Sequence, residues 1–90
     1  MKERELERVL KALANRRRIA ILRHLKKNKE ASVGDLSEAI KLSFKSTSRH
    51  LAVLIGADIV EREQRGLLVF YKLSTTLPPL ARAIFTVILS

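Results

Sequence analysis

Apolar residues enter the chain at helical spacing. Leu6, Val9, Leu10 and Leu13 stand three and four apart with charges between them, which predicts a helix over about residues 2–14. Ile19, Ile21, Leu22 and Leu25 carry the pattern into a second helix that ends near Lys27 and Asn28, with Asn15 as its capping residue. Ser32-Val33-Gly34-Asp35 has the form of a capping box: a serine cap with an acid three residues on. It opens a short third helix over 33–40, with Leu36, Ala39 and Ile40 expected to face inward. Lys41 and Leu42 form a tight connector, and Ser43 caps a fourth helix running from Phe44 to about Ile55. The period then changes. Residues 59–63 and 67–73 are rich in β-branched and aromatic positions, and Gln64-Arg65-Gly66 separates them, so they predict a β-hairpin. Pro78-Pro79 suits the start of a last helix over 78–89.

The order is helix-helix-helix-helix-strand-strand-helix. A short helix, a tight turn, a second helix and a hairpin together make a winged helix-turn-helix. The expected fold class is therefore mostly α with a β-hairpin wing. Residues 1–90 form one domain, without internal repeat or low-complexity tract.

Composition narrows the partner. Ninety residues, 47% of them apolar, allow one small core, and domains of this size often gain stability by oligomerising. A net charge of +9 favours polyanions, either nucleic acid or an anionic membrane surface, over a plain basic domain. The absence of cysteine removes disulfides, Cys-based zinc sites and thiol nucleophiles, and fits a cytoplasmic protein. The charged start of the chain runs into an amphipathic pattern and not into an apolar signal core, so no secretion is expected. The nearly uncharged stretch 77–90 is shorter than the ~20 residues a membrane helix needs.

On a helical wheel of the fourth helix, Thr47, Leu51, Leu54 and Ile55 share the core side. Lys45, Ser46, Ser48, Arg49 and Ala52 lie largely opposite, and no acid occurs between Glu38 and Asp58. Small residues let the helix approach a groove floor, serine hydroxyls serve a phosphate or a base edge, and arginine bonds guanine in a bidentate manner. The helix start itself favours a phosphate. The competing reading of Lys45 and Arg49 is a solvated face. The position of these residues, on the second helix of a helix-turn-helix, favours double-stranded DNA. Arg62 and Arg65 flank the hairpin tip, where they can reach phosphate or a minor groove, and Gly66 lets the turn take positive φ. An edge hairpin kept soluble by charge is the alternative there.

Three segments together resemble the ArsR family of bacterial and archaeal repressors. Residues 12–22, ALANRRRIAIL, are similar to its A-L-A-D-P-T-R-L-x-I-L entry into the second helix, with Arg18 at the shared arginine. Ser32 to Leu36 and then Ser46-Thr47-Ser48-Arg49-His50-Leu51 resemble S-V-x-E-L followed by S-T-V-S-R-H-L, the recognition helix. Val69-Phe70-Tyr71-Lys72-Leu73 is similar to the V-x-Y-x-L that closes the wing. The resemblance covers about residues 5–75. It implies a homodimer joined through its first and last helices and repression by occupying an operator. Ser46, Ser48, Arg49 and His50 are then the DNA-contacting positions. Four departures stand out: Asn15-Arg16 replaces Asp-Pro, Thr47 stands where Val is usual, Asp58 replaces Gly, and Phe44 replaces a polar residue. Metal-sensing members carry a Cys pair on the third helix or His and carboxylate ligands on the last. Neither set is present, so no metal, and no cofactor, is expected.

The last helix is apolar nearly all round, with Arg82 its only charge. A helix apolar on every side needs cover on every side, and a 90-residue core supplies one face. A symmetric homodimer supplies the other. Its expected interface is the helices 1–14 and 77–90, with Leu6, Leu10, Leu13, Leu80, Ile84, Phe85 and Ile88. A membrane tether is the lesser reading of the same helix. The leading functional expectation is a dimeric DNA-binding repressor. A winged helix that meets an acidic protein partner is the alternative. No nucleophile-base pair, ligand cluster or phosphate loop points to an enzyme.

Overall fold

The computed structural model describes residues 2–89. Met1 and Ser90, the outermost residues of the expected helices 1–14 and 77–90, lie outside the described residues. The elements follow as α1 (Glu3–Leu13), α2 (Arg16–Asn28), β1 (Glu30–Ala31), α3 (Val33–Ile40), α4 (Phe44–Gly56), β2 (Val60–Arg65), β3 (Leu68–Leu73) and α5 (Pro79–Ile88). The arrangement is a winged helix-turn-helix, as the hydrophobic pattern predicts.

Local chemistry accounts for most boundaries. The Asn15 side chain accepts from the amides of Arg17 and Arg18, at 2.9 and 3.1 Å, and so starts α2 without the helix-start proline. Ser32 and Asp35 form the full capping box at the start of α3. Ser43 caps α4 by accepting from the Ser46 amide at 3.1 Å. Between α3 and α4, Lys41 adopts a left-handed conformation at φ 54°, and the Leu42 amide bonds back to the Ser37 carbonyl at 3.0 Å. That pair of features satisfies the end of α3 and turns the chain into α4 within three residues. Asp58 also holds positive φ, at 59°, so the residue that replaces glycine keeps the turn.

The hairpin differs in register from the expected one. Arg65 pairs with Leu68, so Gln64 and Arg65 belong to the strand and the turn is Gly66-Leu67. Gly66 holds φ 64° at the first central position, the place glycine takes in a type II′ turn. The sheet gains a third strand that the hydrophobic pattern did not predict. The two residues of β1 pair with β3, giving the order β1-β3-β2, all antiparallel.

The core is built by Ile21, Leu22 and Leu25 of α2, Leu36 of α3, Leu51 and Leu54 of α4, and Ile59 and Val60 at the sheet, with Val9, Ala12 and Leu13 of α1 and Ala81 and Phe85 of α5. Ala39, expected to face inward, is exposed at the rim between α2 and α3; Leu36 and Ile40 carry the inner stripe. Arg23 of α2 donates to the Ile88 carbonyl at 3.2 Å and so ties down the end of α5.

Candidate nucleic-acid interface

The fourth helix presents two contrasting faces. Thr47, Leu51 and Leu54 are fully buried, and Ile55 is half-buried beside them. The Thr47 hydroxyl, where an aliphatic side chain would have no polar atom, donates to the Ser43 carbonyl at 2.8 Å. The substitution is therefore accommodated without an orphaned group. On the other side Lys45 and Arg49 are exposed, and Ser46 and Ser48 are partly so. The face predicted to read DNA is thus the open face. Among the described residues, neither Lys45 nor Arg49 is drawn into an ion pair. Phe44, at the first turn of the helix, is 63% exposed.

His50 sits differently. Its Nδ1 lies 3.3 Å from the guanidinium of Arg18. A guanidinium only donates, so Nδ1 is the unprotonated nitrogen and the proton is on Nε2. Arg18 also donates from Nε to the Ala12 carbonyl at 2.6 Å and from its other nitrogen to the Lys11 carbonyl at 2.8 Å. One arginine side chain therefore binds the last turn of α1 to α4. Burial, then the charge of Arg18, then that of Arg17 hold His50 below the ordinary histidine pKa. Arg17, half-buried on α2, thus adds its charge to the field at His50, a role that only the run Arg16-Arg17-Arg18 in the sequence hinted at.

The wing separates its two arginines. Arg62 is exposed and pairs in register with Tyr71 on the face of the sheet that also carries Val60 and Leu73. Arg65 points to the opposite face. There it meets Glu30 of β1 at 2.5 Å and Glu63 at 2.7 Å, and its guanidinium lies 4.2 Å from the centroid of Phe70. Lys72 closes on Glu63 at 3.3 Å. Glu30 raises the pKa of Arg65, and Lys72 holds Glu63 below the usual carboxylate range. Next to them Glu61 accepts from the Thr75 amide at 3.0 Å, and that bond depresses its pKa in turn. Arg65 is thus engaged within the protein, and Arg62 is the wing arginine whose charge stands open.

The two terminal helices also divide. Leu6 and Leu10 of α1 are exposed, as is Val87 of α5, and Leu80, Ile84 and Ile88 are half-buried. Leu13 and Phe85, placed at the interface from the sequence, are buried in the chain's own core, because each points inward from its helix. Among the described residues no three His, Cys, Asp or Glu side chains come together to hold a metal, and no helix is long and apolar enough to cross a membrane.

Comparison with known proteins places this geometry among regulators. Residues 15–62 match the family model described as bacterial regulatory protein, arsR family. The chain is 46% identical over 68 residues to the transcriptional activator HlyU of Vibrio cholerae, a match that takes in 76% of this chain and 62% of that relative's length, a little under two thirds. The solved structure of HlyU from Vibrio cholerae N16961 superposes with a TM-score of 0.77 at 36% identity, covering 96% of this chain and 91% of that one. The arsenical resistance operon repressor of Bacillus subtilis is 31% identical over 71 residues, 79% of this chain and 68% of the relative. The solution structure of the homodimeric winged helix-turn-helix DNA-binding domain Mb0332 from Mycobacterium bovis has a TM-score of 0.79 at 26% identity, covering 98% of this chain and 83% of that one.

Proposed function

Because the chain belongs to the arsR family of bacterial regulatory proteins, we propose that it is a homodimeric, sequence-specific DNA-binding regulator of transcription. The α4 helix enters the major groove and reads it with Lys45, Ser46, Ser48 and Arg49, while Arg62 of the wing meets the adjacent backbone or minor groove. One observation carries this reading: an open, acid-free polar face on a helix whose other face is locked into the core by Thr47, Leu51 and Leu54. The net charge of +9 supplies the attraction to a polyanion. The relatives are named as an activator and as a repressor of transcription.

The second copy docks on α1 and α5. The exposed Leu6 and Leu10 support this, as do the half-buried Leu80, Ile84 and Ile88 and the homodimeric state named for the Mycobacterium bovis domain. In such a dimer the two α4 helices face major grooves ~34–36 Å apart, one helical turn along the duplex. A cytoplasmic location follows from a DNA target.

Selection of bound duplexes from a random pool tests the proposal directly. The expected product is a sequence with two related half-sites one turn apart, bound with an affinity that falls by about 0.9 log units per log unit of salt for each phosphate neutralised. A pool that gains no sequence preference, or binding indifferent to salt, refutes it.

A further inference from the structure

His50 belongs to the recognition helix and to the family motif around it, yet its ring is turned toward Arg18 rather than left on the open face with Lys45 and Arg49. The same guanidinium grips the carbonyls of Lys11 and Ala12 at the end of α1. These contacts bridge 32 residues in sequence and connect three helices through one side chain. The geometry points to His50 as a positioning residue: through Arg18 it fastens the reading helix to the end of α1, and it makes no DNA contact of its own. This rests on the DNA-binding reading above. It also goes beyond it, because α1 is the helix assigned to the subunit contact. The Arg18–His50 link therefore joins the dimer helix to the reading helix.

The chemistry of the link fixes its response to acid. Arg18 can donate only while Nδ1 of His50 carries a lone pair. Protonation replaces that acceptor with a second donor and sets two positive groups against each other. The charges acting on His50 are Arg18 and then Arg17, both from α2; Arg49 adjoins it on α4, and the Lys11 ammonium on α1 is drawn away to Glu7 at 3.7 Å. Among the described residues no carboxylate pairs with His50 to offset them. A histidine that contacted a DNA phosphate would behave in the opposite way, since protonation would give it a charge to offer.

The test measures affinity for the selected duplex at fixed ionic strength, from about pH 8 to about pH 5.5, for wild type and three variants. His50→Asn puts an amide oxygen where Nδ1 stands and does not titrate; His50→Gln puts its amide where Nε2 stands; His50→Leu offers no acceptor. All keep His24, so differences between them isolate His50. The expected result is that wild-type affinity falls as pH drops below the ordinary histidine range. His50→Asn matches wild type at the alkaline end and stays level, while His50→Gln and His50→Leu bind about tenfold more weakly throughout. Wild-type binding that strengthens on acidification overturns the proposal, and so does rescue by Gln but not Asn. A wild type that binds no duplex at any pH refutes the DNA-binding reading itself, and is thereby distinguished from failure of the link alone.

Discussion

Among single residues, α4 separates side chains left open to solvent, which we propose read DNA, from side chains that hold the helix to the core. Arg49 is exposed and unpaired among the described residues, so Arg49→Ala is expected to lower specific affinity by about 1–3 kcal/mol, whereas Lys2→Ala, just before α1, leaves it nearly unchanged. Equal losses in a titration against the selected duplex would refute the assignment. Thr47→Val restores an aliphatic residue at a fully buried site. It orphans nothing, because the Ser43 carbonyl keeps the Thr47 amide at 3.0 Å, so the change in unfolding free energy should stay within about 1 kcal/mol. His50 adds a pH term to stability. Its folded pKa lies below its unfolded one, so the unfolded chain binds the extra proton. The contribution is complete above the ordinary histidine value and is lost as pH falls from there toward the folded value. Thermal melts across that window should show a drop that His50→Asn lacks.

At the scale of elements, side-chain caps decide where α2, α3 and α4 begin, and they were the most readable part of the sequence. Asn15, Ser32 with Asp35, and Ser43 each start a helix where their side chains predict. Features fixed by distant partners were not readable. The strand β1 is two residues long, too short for any alternation, and exists because β3 offers it an edge. The capture of Arg65 by Glu30 spans 35 residues and removes one of two wing arginines that look equivalent in the sequence. Arg62→Ala should therefore reduce the salt slope of DNA binding by about 0.9, the loss of one phosphate contact, while Arg65→Ala changes it less. A matching loss for both would show that Arg65 leaves its carboxylates in the complex. In the turn of the helix-turn-helix, Lys41 bears a left-handed backbone that costs a residue with a Cβ about 1 kcal/mol. Lys41→Gly should raise the melting temperature by about 4–8 °C if the full amount is recovered, with a smaller rise where glycine's freedom in the unfolded chain offsets it.

For the molecule as a whole, periodicity identified the five helices and the wing, and the family resemblance correctly identified the regulator. Leu13 and Phe85 show where that reasoning stops. A helix apolar on all sides does not reveal which side the monomer keeps, and here the core takes both residues while Leu6 and Leu10 stay outside. A pair of charges at those two positions, Leu6→Glu with Leu10→Glu, should shift sedimentation equilibrium from dimer to monomer without unfolding the chain. A dimer that survives both changes would move the interface elsewhere. The outer face of the sheet has a consequence on the same scale. Glu30, Arg65, Glu63 and Lys72 lash the wing to β1, the segment that leads directly into α3, by pairs open to solvent. Ions that compete for the DNA also compete for these pairs. Rising salt thus loosens the protein's own harness on its wing while it weakens the attraction to phosphate. A curve of affinity against salt for this protein would then record two processes, and a straight line fitted through it would overcount the phosphates the protein touches.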